Sequence, residues 1–104
     1  MSEQRQGGLG VQDGQREKHD EPPMYRVILH NDDYTPQDFV VALLVNVFRH
    51  DETTAERIMM RVHSKGVGTA GEFSFEVAEM KVVTSIDLAR KYDYPLEVSL
   101  EPTS

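Results

Sequence analysis

The chain has 104 residues, of which 38% are hydrophobic, enough for one modest core and too few for two domains. It has no cysteine, which excludes disulfides, thiolate metal sites and cysteine nucleophiles and fits a reducing, cytoplasmic location. Eighteen acidic and eleven basic side chains give a net charge of −7, which disfavours nucleic acid as a partner. No apolar run approaches the roughly 20 residues of a membrane span, so we expect no membrane partner either.

Residues 1–23 form the first segment of distinct composition. After the initiator methionine they contain only Leu9 and Val11 as aliphatic side chains, among Gln, Gly, Arg and Asp. Such a composition offers too little apolar surface to bury in a core. We predict a disordered N-terminal arm over residues 1–23 and a folded core over residues 24–104.

A strand and a helix open the folded part. Residues 25–30 are rich in the β-branched and aromatic side chains that favour a strand. Residues 31–34 have turn composition, and Thr35-Pro36 offers a capping hydroxyl and a proline, so we expect a helix to begin at Thr35. Its wide apolar stripe predicts a helix covered on more than one side, formed by Phe39, Val40, Val41, Leu43, Leu44, Val45, Val47 and Phe48.

Two further helices and two further strands follow. Residues 53–56 fit a capping box, and Lys65-Gly66 ends this second helix. Residues 72–75 alternate as a half-buried strand does, and a helical period returns from Glu76. The two helices have apolar faces at Ala55, Ile58, Met59 and Val62, and at Ala78, Val82, Ile86 and Ala89. Residues 96–101 alternate again, as a strand with one face on a core does.

The order of these elements, β-α-α-β-α-β, predicts an α+β fold. A single small sheet with helices on one side is a two-layer arrangement that buries the apolar face of every element. We therefore expect a two-layer sandwich in which a three-stranded antiparallel sheet packs against three helices.

The densest polar cluster is His-Asn-Asp-Asp at residues 30–33, between the first strand and the first helix. Such loops commonly hold functional groups, but the same residues also close ordinary turns. His63 borders the apolar face of the second helix, either as a core-edge residue or as a partner of this cluster. His30, Asp32, Asp33 and His63 are acceptable metal ligands, but no known metal-binding spacing, nucleophile elbow or glycine-rich phosphate loop accompanies them. We therefore expect no metal, no cofactor and no enzymatic activity.

Four segments carry a family resemblance. They are PPMYRVILHNDDYTP at residues 22–36, IMMRVH at 58–63, EVAEMK at 76–81 and YPL at 94–96. Together they resemble ClpS, a family of bacterial adaptors that deliver N-degron substrates to the ClpA unfoldase of the ClpAP protease. The similarity extends over residues 22–102 without large gaps. It implies an adaptor that binds proteins whose first residue is Leu, Phe, Tyr or Trp.

The ligand of this family presents a free α-amino group and a large apolar side chain. The amino group is cationic at neutral pH and offers three donors, so it requires acceptors around it. The resemblance implies that Asn31, Asp33 and neutral His63 supply these acceptors, with Asp32 as a turn-shaping member of the same group. It also implies an apolar pocket for the side chain, lined by Ile28, Thr35, Gln37, Val40, Met59, Val62 and Leu96. Several of these residues would be apolar in any core of this fold.

Position 37 departs from the family pattern. Many relatives carry a methionine there, at the mouth of the pocket, where it helps to exclude β-branched side chains. This chain has Gln37. An amide prefers water to an apolar lip, so we expect a more open entrance to the pocket.

The resemblance also implies a second interface, on the third helix. Glu76, Glu79 and Lys81 match family positions that dock on the N-terminal domain of ClpA, although the same charges fit an ordinary solvated helix face. The arm at residues 1–23 matches an extension that enters the unfoldase. The implied protein is a monomer with two partners, ClpA and the N-degron substrate.

Two other classes of function stay open at this point. One is a small metal-dependent hydrolase centred on His30, Asp32, Asp33 and His63. The other is a structural module that dimerises through the alternating edge at residues 96–100.

Overall fold

The structure is a computed structural model that describes residues 23–103. Its elements are β1 (Met24–His30), α1 (Gln37–Asn46), α2 (Glu52–Lys65), β2 (Val67–Ser74), α3 (Phe75–Lys91) and β3 (Glu97–Pro102). This order confirms the predicted β-α-α-β-α-β sequence of elements. The predicted arm falls, apart from Pro23, outside the described residues.

β1 is the central strand of a three-stranded sheet with the order β2-β1-β3. Both pairings are antiparallel, which confirms the predicted sheet. The pairing with β2 shifts register between Val27 and Ile28. On the other side, His30 lies opposite Glu97. The start of β3 therefore lies beside the end of β1.

The hydrophobic core lies between this sheet and the helices. It draws buried side chains from all six elements and from the adjoining turns: Val27, Leu29, Val40, Leu43, Leu44, Phe48, Ala55, Val62, Ala70, Ala78, Ala89, Leu96 and Val98. Burying one Val or Leu side chain stabilises a fold by about 1.5–3 kcal/mol, so this cluster dominates the stability. Phe39 and Val41, on other faces of α1, also pack against the core. α1 is therefore covered on more than one side, as its wide stripe predicts.

α1 begins two residues later than predicted. Its first residue is Gln37, and Pro36 occupies the N-cap position without a side-chain cap. The Thr35 hydroxyl donates instead to Oδ2 of Asp32, at 2.8 Å. The prediction of Thr35 as the cap is wrong because the helix begins one residue too late for it. Pro36 takes the N-cap position, and the N–H and hydroxyl of Thr35 both donate to Asp32 in the preceding turn.

α2 begins earlier than the predicted capping box at residues 53–56. Its first residue is Glu52 and its N-cap is Asp51, whose carboxylate accepts from the N–H of Thr54 at 3.3 Å. The hydrogen bonds from Thr54 hold the pKa of Asp51 below its ordinary value. At the other end Gly66 has a φ of +91°, in the left-handed region that favours glycine, which confirms the predicted stop.

β2 is longer than the predicted strand at residues 72–75. It begins at Val67, and Phe75 is already the first residue of α3. A Cβ on Gly68 would lie 2.7 Å from Cγ2 of Val62, so this part of β2 passes directly beneath α2. β3 agrees with its prediction within one residue.

α3 is the longest helix, with 17 residues. Ala78 and Ala89 are buried, and Val82 and Ile86 are half-buried against the core, which confirms the predicted apolar face. No helix within residues 23–103 is both long and apolar enough to cross a membrane.

Candidate functional site

The turn between β1 and α1 is organised by Asp32. Its Oδ1 accepts from the N–H groups of Tyr34 at 2.8 Å and Thr35 at 2.7 Å, and its Oδ2 accepts from the Thr35 hydroxyl at 2.8 Å. Burial opposes the charged form, but these hydrogen bonds and the Arg90 guanidinium outweigh it and hold the pKa of Asp32 below its ordinary value. Asp32 therefore shapes the turn as an ionised carboxylate.

Asn31 ties this turn to the end of α2. Its N–H donates to the carbonyl of Gly66 at 2.8 Å. Asn31 and Asp33 are exposed on either side of Asp32. Their side-chain oxygens are thus open to a ligand, whereas those of Asp32 already hold the turn.

A cavity of about 520 Å³ opens beside the turn. Its wall consists of turn residues and the segment that leads into β3: Asn31, Asp32, Asp33, Tyr34, Pro95 and Glu97. Three of these six residues carry carboxylates and none carries a cationic group. Such a wall suits a cationic ligand with several hydrogens to donate. We call this space the acidic cavity.

Sequence reasoning missed Glu97. The alternation of residues 96–101 predicts that Glu97 faces water, and it is exposed. What brings it to the acidic cavity is the strand register, in which Glu97 lies opposite His30, one residue before Asn31. A pattern within one strand carries no information about its register with another strand.

Sequence reasoning also missed Arg90, which holds the segment around Pro95 in the wall of the acidic cavity. Its Nη1 donates to the carbonyls of Tyr94 at 2.7 Å and Leu96 at 3.1 Å, on either side of Pro95. The same guanidinium lowers the pKa of Asp32. α3 thereby fixes the loop that faces the Asp32 turn, and no local sequence signal marks Arg90 for this part.

His63 lies outside the wall of the acidic cavity. It is exposed in the last turn of α2, three residues before Gly66. Because Gly66 binds the N–H of Asn31, His63 is at the helix end that adjoins the turn. The structure thus brings Asn31, Asp32 and Asp33 to one cavity and His63 to the neighbouring helix end.

The seven residues of the predicted apolar pocket lie at different depths. Three are core residues with exposed fractions of 6% or less: Val40, Val62 and Leu96. Three are half-buried: Ile28, Thr35 and Met59. Gln37 is exposed, and together with Met59 it lines a groove of about 720 Å³ between α1 and α2. We call this the α1–α2 groove.

The candidate metal ligands do not converge. Nε2 of His30 lies 2.7 Å from Oγ of Ser99, in a hydrogen bond across β1 and β3. Among the residues that the structure describes, no three His, Asp or Glu side chains are grouped closely enough to hold a metal ion. The alternative of a metal centre at these residues has no support in the described geometry.

The three charged residues of the predicted interface on α3 differ in their surroundings. Glu76 and Glu79 are exposed. Lys81 is half-buried, because its Nζ donates to the carbonyl of Val47 at 2.7 Å and lies 5.6 Å from the centre of the Phe73 ring. Lys81 therefore fastens α3 to the end of α1.

Apolar side chains accompany the two glutamates. Val77, Met80 and Val83 are exposed to 40%, 63% and 52%. Residues three apart on a helix are neighbours, so they form one stripe, which we call the α3 stripe. Exposed apolar surface with a polar rim marks protein interaction sites. Sequence reasoning missed this stripe, although its residues lie outside the predicted apolar face of the helix.

The fold and the cavity define a small α+β protein with an acidic cavity beside the β1–α1 turn. Comparison with known proteins is more specific. A family model described as ATP-dependent Clp protease adaptor protein ClpS matches residues 20–99. The chain belongs to this family of adaptors of the Clp protease, which confirms the resemblance found in its sequence.

Individual relatives agree with this assignment. The ClpS adapter of Desulfotalea psychrophila is 54% identical over 81 residues, which cover 78% of this chain and 79% of the relative. That of Myxococcus xanthus is 48% identical over 87 residues, which cover 84% and 81%. Among solved structures, ClpS2 of Agrobacterium tumefaciens bound to L-phenylalaninamide matches with a TM-score of 0.76 and 39% identity, over 79% of this chain and 99% of that chain.

Proposed function

We propose that this protein binds, in the cytoplasm, the free N-terminus of proteins that begin with Leu, Phe, Tyr or Trp and delivers them to the ClpA unfoldase of ClpAP. The observation that carries the proposal is the acidic cavity. Four of its six wall residues have carboxylate or amide oxygens, and none of the six is cationic. A free α-amino group is mostly protonated at neutral pH and presents three donors. The cavity offers the acceptors that this group requires.

Asp32 stabilises the turn, and its neighbours Asn31 and Asp33 bind the ligand. The Asn31 carboxamide oxygen and the Asp33 carboxylate accept hydrogens from the α-amino group, and a neutral His63 ring accepts a third from the end of α2. Asp32 keeps the turn in shape and adds negative charge beside the ammonium. None of these steps requires a metal or a cofactor.

The first side chain of the substrate enters the apolar region between β1, α1 and α2. Met59 is half-buried and packs against the core, which includes Val40, Val62 and Leu96. Ile28 alternates on β1 with the core residues Val27 and Leu29, so it faces the other side of the sheet. Burial of a large apolar side chain is worth about 1.5–3 kcal/mol. The ligand of the Agrobacterium relative, L-phenylalaninamide, supports this reading, since it combines a free α-amino group with an aromatic side chain and has an amide where a peptide would continue.

Delivery to ClpA requires a second surface that stays free while the substrate is bound. Glu76, Glu79 and the α3 stripe are candidates for docking on the N-terminal domain of ClpA. Ser74, just before α3, pairs with Met24 at the start of β1, whereas Asn31 follows its other end. Seven strand residues span about 20 Å, so the two surfaces lie at opposite ends of β1.

Fluorescence anisotropy with short labelled peptides tests the recognition step. A peptide that begins with Leu should bind at least about thirty-fold more tightly than the same peptide with Glu first or with an acetylated α-amino group. Acetylation removes the charge and two of the three donors and leaves the Asp33 carboxylate opposite a neutral amide. Equal binding of the free and acetylated peptides would contradict the proposal.

A double variant assigns this recognition to the turn. Asn31→Ala with Asp33→Ala should abolish binding of the Leu peptide and leave the circular dichroism spectrum unchanged, because both residues are exposed. Asp87→Ala removes an exposed carboxylate from α3 and serves as the matched control. Full binding by the double variant would place the site elsewhere.

A further inference from the structure

The acidic cavity has two walls, which come from different parts of the chain. The first wall is the turn at residues 31–34, after β1, and the second is formed by Pro95 and Glu97, at the entry to β3. Asp32 holds the first wall through hydrogen bonds within the turn. Pro95 lies outside any helix or strand, so the place of the second wall depends on contacts with other elements.

Arg90, in the last turn of α3, binds the backbone of the second wall. Its Nη1 donates to the carbonyl of Tyr94 at 2.7 Å and to that of Leu96 at 3.1 Å. These two carbonyls lie on either side of Pro95, whose own nitrogen has no hydrogen to donate. A planar guanidinium presents its donors in a fixed arrangement, so the two bonds restrain the direction of this segment as well as its distance from α3.

The same guanidinium also acts on the first wall. Burial raises the pKa of Asp32, but the hydrogen bonds of the turn and the charge of Arg90 lower it, and the result is a pKa below the ordinary value. Arg90 thus lies within electrostatic reach of one wall while it binds the backbone of the other. Through this one residue, α3 acts on both sides of the acidic cavity.

Side-chain packing keeps the second wall attached to the fold independently of Arg90. The ring of Tyr94 lies 5.0 Å from that of Phe39, edge to face, and Leu96 is a core residue with 1% exposure. Arg90 restrains the backbone between these two anchored side chains. Its loss exchanges two hydrogen bonds for bonds to water, so we expect the chain to fold while the second wall gains freedom.

We propose that Arg90 is a positioning residue for recognition of the substrate N-terminus, because it fixes Pro95 and Glu97 opposite the Asp32 turn and thereby sets the width of the acidic cavity. This proposal rests on the proposed function. It adds to that function a residue of α3 that does not itself line the cavity and acts through the backbone that it binds.

The charge and the hydrogen bonds of Arg90 predict opposite effects on binding. A cation near the cavity repels the α-ammonium group of the ligand, so removal of the charge alone would strengthen binding. Arg90 is exposed and water screens its charge, so this repulsion is small. Loss of the two hydrogen bonds loosens one wall and weakens binding. The sign of the change therefore identifies which property of Arg90 matters.

Two substitutions at this position measure that sign. Arg90→Met removes both the charge and the donors, whereas Arg90→Lys keeps the charge and removes only the planar set of donors. In fluorescence anisotropy titrations, both variants should bind the Leu peptide about five- to tenfold more weakly than the native chain. Tighter binding by Arg90→Met, or native affinity in Arg90→Lys, would overturn the proposal.

Arg26→Lys is the matched control. The Arg26 guanidinium also donates to a backbone carbonyl, that of Thr103 at 3.4 Å, but it lies near the start of β1, away from the cavity. Arg26→Lys should leave the affinity for the Leu peptide unchanged when all titrations are made well below the unfolding temperature of each variant. An equal loss of affinity in Arg26→Lys and Arg90→Lys would assign the effect to general stability and contradict a positioning role.

A double-mutant cycle with Glu97 tests whether Arg90 acts through the second wall. Glu97→Gln should weaken binding of the Leu peptide by a few-fold in the native chain and by a smaller factor in Arg90→Lys, where Glu97 is no longer held in place. If Glu97→Gln has the same effect in both backgrounds, including no effect in either, Arg90 does not act through this wall and the proposal is wrong.

The outcomes separate this proposal from the proposed function. Unchanged affinity in both Arg90 variants, with Leu still preferred over Glu as the first residue, overturns the role of Arg90 and leaves the proposed function intact. Equal affinity of the native chain for Leu and Glu as the first residue overturns the proposed function, and the role of Arg90 fails with it.

Discussion

The carboxylate of Asp32 is engaged on both oxygens by the turn that it closes. Its two neighbours, Asn31 and Asp33, are exposed, and the proposed function assigns contact with the ligand to them. A turn that is already held by its own hydrogen bonds presents its acceptors without an ordering cost at the moment of binding. In the proposed function, this preorganisation favours recognition of an α-amino group by so small a loop.

Replacing Asp32 should therefore affect stability, and it should do so in a pH-dependent way. Asp32→Ala deletes the acceptor of three hydrogen bonds and should lower the free energy of unfolding by about 1–3 kcal/mol at pH 7. The folded pKa of Asp32 is lowered, so its contribution is complete above the unfolded value near 3.9 and is lost as the pH falls through the folded value.

Urea denaturation over a series of pH values measures this contribution. The stability difference between the native chain and Asp32→Ala should shrink below about pH 4. Asp33→Ala, at the exposed neighbouring position, is the control and should change stability by no more than about 0.5 kcal/mol. A difference that stays constant down to pH 2 would mean that the charge of Asp32 does not stabilise the turn.

The second residue-scale prediction concerns Gln37. It is exposed beside Met59, where an apolar side chain would narrow the entrance to the pocket. Gln37→Met should therefore raise the preference for a Leu-initiated over an Ile-initiated peptide by a few-fold, as contact of a few carbon atoms is worth about 1 kcal/mol. Anisotropy titrations of both peptides measure this ratio.

Asn46→Met is the control for this change, since Asn46 lines the same groove at its far end. It adds an apolar side chain to the groove without approaching the entrance, so the ratio should stay at the value of the native chain. If Gln37→Met also leaves the ratio unchanged, position 37 is an ordinary exposed residue of the first turn of α1.

At the scale of single residues, the sequence predicts which side chains belong to the site better than it predicts the residues that they contact. Asn31 and Asp33 are recognisable as a polar cluster after a strand, and they do reach one cavity. Thr35 has the composition of a helix cap, but its N–H and its hydroxyl both donate to Asp32, which makes it part of the turn, and only the folded geometry shows this. Glu97 joins the same cavity through strand register, which is a long-range property.

Among the elements, the first half of β2 is the part that the sequence pattern does not predict. Residues 67–71 read Val-Gly-Thr-Ala-Gly, yet Gly68 and Ala70 are buried. Ala70 lies where the register with β1 shifts, and its carbonyl accepts a hydrogen bond from Nε2 of His50. Gly68 lies directly against Val62 and Ile58 of α2, and Ala70 is small and fully buried. This part of β2 therefore alternates in residue size and not in polarity. α3 and β3 keep ordinary apolar patterns and are predictable.

This close approach makes Gly68 a determinant of the position of α2 above β2. In Gly68→Ala the new Cβ would lie 2.7 Å from Cγ2 of Val62, and a short branched side chain in the core has no space to move aside. α2 must shift, at a cost of about 1–3 kcal/mol. Binding of the Leu peptide should weaken as well, because His63 moves with Val62.

Gly71→Ala offers a matched comparison in the same strand. Its Cβ would lie 2.8 Å from Cζ of Phe73, so it should also lower stability, but its contacts are with aromatic rings and not with α2. Thermal denaturation and peptide anisotropy of both variants should show a stability loss in each and an affinity loss only in Gly68→Ala. Equal affinity losses would mean that recognition depends on overall stability and not on the position of α2.

At the scale of the whole molecule, the length of β1 separates the acidic cavity from the start of α3, where Glu76 and Glu79 lie. The acidic cavity follows one end of the strand and the start of α3 lies beside the other. In the proposed function, this separation allows one molecule to hold a substrate and to dock on ClpA at the same time. The sequence predicts the polar turn and the charges of α3 but not Glu97, and only the sheet topology determines that the two surfaces lie apart.

Separation-of-function variants test this relation. Glu76→Ala with Glu79→Ala should weaken binding to the N-terminal domain of ClpA and leave affinity for the Leu peptide unchanged. Asn31→Ala with Asp33→Ala should have the opposite effects. Neither variant should support degradation of a Leu-initiated reporter by ClpAP, because each lacks one of the two contacts that delivery requires.

Mixing the two variants then tests whether one molecule contacts both the substrate and ClpA or whether different copies of the chain make these two contacts. If one molecule must contact substrate and ClpA together, an equimolar mixture should remain inactive in the degradation assay, since no molecule in it carries both surfaces intact. Restored degradation would mean that the sites act from different copies, as they would if chains associated through the exposed edge of β3. Light scattering of the native chain, expected to give the mass of a monomer, provides the independent check on that alternative.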